Sequence, residues 1–376
     1  MLHIREKANM KDIFEDSEDK LGVDVPKEKR YLNTASYDYS VQFISELMSG
    51  QHPKIILEVP FQRNFVWKED RASQLIESVI MNVPIPPLYF SEEDNGKWLV
   101  IDGLQRLNAL KNFYENEYPL KGLEILKELE KLKYKDLPPK AKDLLNDGLL
   151  RINVIKKDSH PDIKYDIFMR LNKGAVSLNY QELRNCLYRG DFNNEMKNLA
   201  KNPDYLKILN LKKPHDRYQD VEFAIRYFAI KENLQINEEG NYEIKSYTGK
   251  MVNFLNEYMD SKKKLTLSEV KHYKIEFDDL VKKILVVFSA NTAFRDPLQD
   301  HSRINRPIAE FILLSFSEVN QEILEANADI IRKLLTDSLQ DNEEFRRSIS
   351  QRTSDREIVN LRINYWMKIF KDALGI

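Results

Sequence analysis

The stretch Val100-Ile101-Asp102-Gly103-Leu104-Gln105-Arg106 places an acid, a glycine, an amide and a guanidinium where a strand-like apolar run gives way to a helical one. A glycine at such a junction lets backbone approach an anion, and the helix N-terminus supplies N–H groups carrying about half a positive charge. Arg106, in the first turn, offers a planar fork suited to phosphate oxygens. Asp102 can hold Mg²⁺, position a water or orient Arg106, and Gln105 can do the last two without charge. The same residues also allow a purely architectural arrangement, in which Gly103 makes the turn, Asp102 caps the helix and Arg106 is solvated. Spacing alone leaves both open.

Two further clusters carry polar side chains. Gln62 and Arg63 follow Pro60 among Phe61, Phe65 and Trp67, and arginine beside aromatics serves base or phosphate contacts, or packing with its charge in solvent. Taken alone, that cluster reads as packing. Asn172, Lys173, Arg184 and Asn185 lie near helix ends, where caps and a solvated face account for them. His301, beside Asp300 and ahead of Asn305, invites an HNH-type nickase but has no second histidine nearby to complete a metal site. G-x-x-x-x-G-K-[ST], G-x-G-x-x-G and H-E-x-x-H are all absent.

These residues need elements to hold them. Pro53 to Pro60 is a short β-branched run feeding a turn at Phe61 to Asn64, and Ala72, Leu75, Ile76, Val79 and Ile80 form one helical stripe. Leu88 to Phe90 and Trp98 to Ile101 flank Asn95-Gly96, the strongest short hairpin signal. After Gly103, Leu107, Leu110 and Tyr114 recur at helical spacing. The Lys/Glu-rich segment from Lys121 to Gly148 predicts short exposed helices. Ile152 and Val154 alternate with Arg151 and Asn153 as a strand, and a helix through Ile163, Ile167, Phe168 and Leu171 ends at Gly174 as its C-cap. Asn179 and Glu182 then form a capping box with a Leu178–Leu183 staple. Beyond about residue 190 the period is almost wholly helical.

Composition sets limits on function. With 58 Lys+Arg against 60 Asp+Glu the formal charge is −2, so a nucleic-acid surface must be local rather than a whole-molecule field. The single cysteine, Cys186, excludes an internal disulfide framework and a cysteine zinc cage, and its helical context predicts a buried position. The charged N-terminus lacks the apolar core of a signal peptide, and no run approaches the ~18 apolar residues of a membrane span. A cytoplasmic location is expected.

In order and spacing, the segments from Val59 to Phe90, Trp98 to Tyr114, Ile167 to Asn193 and Arg217 to Ile230 resemble the DUF262 family, the N-terminal domain of GmrSD-type modification-dependent restriction enzymes. The resemblance implies a ParB/sulfiredoxin-like fold in which a Gly-x-x-Arg turn at a helix N-terminus meets nucleotide phosphates. The family's D-G-Q-Q-R motif, linked to nucleotide binding and hydrolysis, is matched by Asp102, Gly103, Gln105 and Arg106, with Leu104 in place of the first glutamine. Whether that glutamine orients the attacking water or contacts the base, its replacement by Leu104 bears on hydrolysis, while phosphate binding by Gly103 and Arg106 would survive. Pro60, Gln62 and Arg63 match a P-x-Q-R element, and Phe168, Asn172, Leu178, Glu182, Leu183 and Arg184 match a second one. Restriction members carry an HNH nuclease in a further domain, which nothing after residue 240 resembles, so cleavage is expected to need a partner chain.

The expected protein is α+β: a charged arm over residues 1–34, a small mixed β-sheet with helices over 35–190, and an all-helical domain over 191–376. Its expected function is that of a nucleotide-binding, NTP-hydrolysing component of a bacterial antiphage defence or modification-dependent restriction system. The alternative is a non-enzymatic DNA-recognition or adaptor protein of such a system. The nucleoside triphosphate would be held with Mg²⁺ at Asp102, its phosphates met by Gly103, Arg106, Gln62, Arg63, Asn172, Lys173 and Arg184, with Asp102 and Gln105 in the chemistry. DNA and a partner nuclease or other defence protein are the expected partners, and a membrane is not.

Overall fold

The computed structural model describes residues 31–57, 67–171, 179–299 and 303–376. The turn at Phe61 to Asn64, the Gly174 cap, the Leu178 staple and His301 lie outside the described residues, as do Gln62, Arg63, Asn172 and Lys173. The described chain forms two compact units that divide between Asn179 and Tyr180. Its class is α+β.

The first unit runs β1 (Thr34–Ser40), α1 (Val41–Met48), β2 (Ile55–Ile56), α2 (Glu69–Ile80), β3 (Leu88–Glu92), β4 (Trp98–Asp102), α3 (Leu104–Tyr114), α4 (Pro139–Asp147), β5 (Leu149–Ile155) and α5 (Pro161–Leu171). The five strands make one mixed sheet in the order β1-β5-β3-β4-β2. β1 with β5 and β3 with β4 are antiparallel, while β3 with β5 and β2 with β4 are parallel. The β3–β4 hairpin turns as its Asn-Gly pair predicts: Gly96 takes φ +76° and Asn95 Oδ1 accepts from Lys97 N at 3.0 Å. Ile152 and Val154 on β5 are fully buried, with Asn153 half-buried between them and Arg151 exposed ahead of them, and the α2 stripe is buried as its spacing requires.

Tyr37 on β1 and Trp98 on β4 stack with ring centroids 5.8 Å apart, although β5 and β3 intervene, so their long side chains meet across the sheet face. Strand β1 was not anticipated, and the Lys121–Gly148 region carries short, largely exposed helices as expected but anchors them with buried leucines. Two short 3₁₀ turns, Lys127–Leu129 and Tyr134–Asp136, precede α4, and Leu120, Leu123, Leu129, Leu137 and Leu145 are buried. The organiser is Glu77 of α2, whose carboxylate accepts from the backbone N–H groups of Glu124, Ile125 and Leu126 at 3.0, 2.7 and 2.7 Å. A loop pinned by a buried carboxylate needs no helix to satisfy its backbone.

The second unit comprises α6 (Tyr180–Leu187), α7 (Asp191–Leu199), α8 (Pro203–Ile208), α9 (Gln219–Asn233), β6 (Leu234–Ile236), β7 (Tyr242–Ile244), α10 (Met251–Lys262), α11 (Leu267–Val287), α12 (Arg306–Ser317), α13 (Gln321–Ala326), α14 (Ala328–Asp341), α15 (Glu343–Ser348) and α16 (Arg356–Leu374). It is helical as expected except for the β6–β7 hairpin, whose turn is closed by Asn237 Oδ1 accepting from Glu239 N and Asn241 N. Asn364 of α16 both donates to and accepts from the Tyr242 backbone, which ties the hairpin down. Thr266 and Glu269 form a capping box that starts the long helix α11. Cys186 is fully buried in α6, as its context predicts. Among the described residues no helix is long and apolar enough to cross a membrane.

Candidate functional site

Strand β4 ends at Asp102, and α3 starts at Leu104, so Gly103 alone makes the junction. It adopts φ +101°, ψ 8°, a left-handed conformation that L side chains rarely take. A Cβ there would also fall 2.3 Å from Leu88 Cδ2 and 3.2 Å from Arg106 Nη2. Sequence alone suggested that the glycine makes room for an anion; sheet packing by Leu88 demands it independently.

No side chain caps the α3 N-terminus, so Asp102 is not the helix cap. Its Oδ2 instead lies 2.5 Å from Arg106 Nη2, one helical turn away. Arg106 also donates from Nη1 to the Pro86 carbonyl and from Nη2 to the Pro87 carbonyl at 3.3 Å. Its side chain is 13% exposed against 41% for Asp102. Burial pulls the Arg106 guanidinium below its ordinary pKa, and the Asp102 carboxylate opposes that shift. Of the roles open to Asp102, orienting Arg106 is the one this geometry realises.

Pro86 and Pro87 were not anticipated as part of the site. The signal was present, since proline keeps a carbonyl acceptor without an N–H, and a Pro-Pro pair ahead of a strand offers two acceptors to a nearby cation. Gln105 Oε1 accepts from the Trp67 backbone N–H at 3.4 Å. Trp67 follows directly on the segment carrying Gln62 and Arg63, and its ring stacks under the Arg71 guanidinium at 4.6 Å. Leu104 is 6% exposed and packs into the core.

Arg184 belongs to the helical unit. Only 1% exposed, it donates from Nη2 to Glu222 at 2.5 Å and from Nε to Gln181 Oε1 at 2.8 Å, and Asn256 Oδ1 lies 3.5 Å from Nη1. Glu182, expected in a capping box, accepts from Arg217 at 3.0 Å.

The helix start without a side-chain cap, the junction glycine and an arginine aimed by an acid thus lie together at one end of β4. Residues 44–189 match the family model of the GmrSD restriction endonuclease, N-terminal domain. The resemblance read from the motifs is thereby borne out over this span, which contains Asp102, Gly103, Gln105 and Arg106. The GmrSD match indicates a component of a restriction or defence system. No curated protein and no solved structure matches the chain.

Proposed function

We propose that this chain is a nucleotide-binding, NTP-hydrolysing component of a restriction or defence system, with its phosphate site at the start of α3. The observation that carries the reading is the Asp102–Arg106 pair across Gly103 at a helix N-terminus that no side chain caps. Phosphate oxygens would be received by the first-turn N–H groups of α3 and by the Arg106 fork. Asp102 keeps that fork in place, and Gln105 positions a water beside it. Gln62, Arg63, Asn172 and Lys173 would supply the remaining phosphate contacts on the strength of the sequence match. On this reading the mixed sheet with its Gly-x-x-Arg turn is a ParB-like scaffold.

Among the described residues no three His, Cys, Asp or Glu side chains form a metal cluster. Asp102 nevertheless fits the needs of Mg²⁺ arriving with a nucleotide, because that ion takes one or two protein carboxylates and completes its shell with phosphate and water. When bound, Mg²⁺ would neutralise phosphate charge.

Titration calorimetry with each NTP and Mg²⁺ on the wild type and Arg106→Ala tests the proposal. Binding by the wild type that Arg106→Ala abolishes is expected. Equal binding by both, or none by the wild type, overturns it. The buried Leu104 favours a second reading, in which phosphates are held without turnover by a DNA-recognition or adaptor protein. A gel-shift salt series separates the two, because a DNA reader loses affinity steeply as salt rises. DNA cleavage would fall to a partner nuclease, and the working compartment would be the cytoplasm.

A further inference from the structure

Strand β1 stands at one edge of the five-stranded sheet, with β5 as its neighbour. The phase of its ladder is fixed at both ends. Lys156 N donates to the Asn33 carbonyl and Val41 N to the Gly148 carbonyl, both at 2.8 Å, and no register shift interrupts the pairs between them. The odd-numbered residues from Asn33 to Val41 therefore turn their N–H and C=O groups toward β5. Thr34, Ser36 and Asp38 turn theirs outward, where no backbone partner meets them among the described residues, and all three residues are exposed.

Native sheet edges are ordinarily protected by shortness, a bulge, a proline or a charge. The opposite edge, β2, is only two residues long. By contrast, β1 runs for seven residues without a proline, a lysine or a bulge. Its one charge, Asp38, is drawn onto Arg151 of β5, whose Nε and Nη2 donate to it at 2.9 and 2.8 Å. Ser36 Oγ is held in the same way, donating to Asn153 Oδ1 at 2.7 Å. Both side chains thus lean onto β5 and leave the outer backbone open.

The two ends of this edge carry large apolar side chains that are exposed. Tyr31 and Leu32 lie just ahead of β1, and Phe43 stands in the first turn of α1, its ring edge-on to Tyr39 with centroids 4.8 Å apart. An antiparallel strand of the same sequence brings the start of one edge to the finish of the other, so that Tyr31 and Leu32 of each copy come against Phe43 of its mate. The edge is self-complementary in that sense.

We propose that the outer edge of β1 pairs with β1 of a second copy of this chain, antiparallel about a two-fold axis at Tyr37, so that one continuous sheet runs through a homodimer. In this register the outward groups of Ser36 in one copy face those of Asp38 in the other, and the axis repeats the pair. That closes the open backbone bonds and keeps the two Asp38 carboxylates out of direct opposition. Each β1 has one outer edge, so the assembly stops at two copies.

Sedimentation equilibrium of the full chain tests this. The wild type should reach twice the 44.5 kDa of one chain at about 100 μM. Ser36→Pro removes an outward N–H and none of the bonds to β5, so it should return the mass of one chain with an unchanged far-UV spectrum. A wild type that keeps the single-chain mass overturns the proposal, as does a folded Ser36→Pro protein that dimerises as tightly as the wild type. Should Ser36→Pro not fold, Phe43→Glu, at an exposed helix position, must weaken the dimer about tenfold or more. A dimer undiminished by that charge places the contact elsewhere and overturns the β1 edge as its site.

Discussion

Asp102 and Arg106 face each other one helical turn apart across Gly103, with Oδ2 2.5 Å from Nη2, while the same guanidinium holds the carbonyls of Pro86 and Pro87. The acid thus sets the direction of the arginine, and the prolines fix its plane. A lysine keeps the charge but cannot make these contacts at once. Arg106→Lys should weaken NTP binding about tenfold or more by calorimetry, matching the loss of one charge-assisted hydrogen bond. An unchanged Kd would show that charge alone suffices there.

Gly103→Ala meets two obstacles at once, a φ of +101° and the Leu88 side chain 2.3 Å from the new Cβ. Left-handed strain and overpacking together should cost about 2–4 kcal/mol in denaturant unfolding. Adding Leu88→Ala should recover part of that loss, because it relieves the clash but not the backbone strain. Strict additivity of the two substitutions would mean that Leu88 moves aside freely.

Leu104 stands where the family motif has glutamine, and it is buried. Leu104→Gln should lower stability by about 1–3 kcal/mol, the cost of burying an amide without a partner. The NTP Kd should stay within about twofold, since the proposed phosphate contacts belong to Gly103 and Arg106. A tenfold change in Kd would place position 104 against the ligand.

Local signals carried part of this far. The β3–β4 hairpin followed from Asn95-Gly96, β5 from its alternation and α2 from its stripe, because each depends on neighbours within a few residues. Strand β1 was missed because its residues are half-buried or exposed, and only pairing with distant β5 defines it. The site divides the same way. Asp102, Gly103 and Arg106 announced themselves by spacing, whereas the choice among roles for Asp102 rests on carbonyls of Pro86 and Pro87, remote in sequence from α3. Arg184 showed a motif position but not its Glu222 partner, which another helix brings.

Glu77 makes acid sensitivity a property of the first unit. Burial pushes its carboxyl up, but three backbone N–H groups and Lys127 outweigh that and hold it below its ordinary 4.5. A carboxyl lowered in the folded state contributes stability that is fully present above the unfolded value and is lost as pH falls through the folded one. Unfolding free energy should therefore decline as pH drops below about 4.5. Glu77→Gln should cost about 1–3 kcal/mol at neutral pH and flatten that decline. A variant with the wild-type acid slope would exclude Glu77 as its source.

In the helical unit, Glu310 of α12 sits between two buried arginines, its Oε1 3.2 Å from Arg226 Nε of α9 and its Oε2 bonded to Arg362 Nη2 of α16. All three side chains are nearly inaccessible, so water cannot replace a missing partner. Glu310→Gln preserves the shape but leaves two guanidinium groups without a counter-charge, which should cost about 3–5 kcal/mol in chemical denaturation. Replacing all three residues with apolar ones of similar volume should cost much less, because it removes the desolvation penalty together with the attraction. If the single substitution proves as mild as the triple one, the triad does not join these three helices electrostatically.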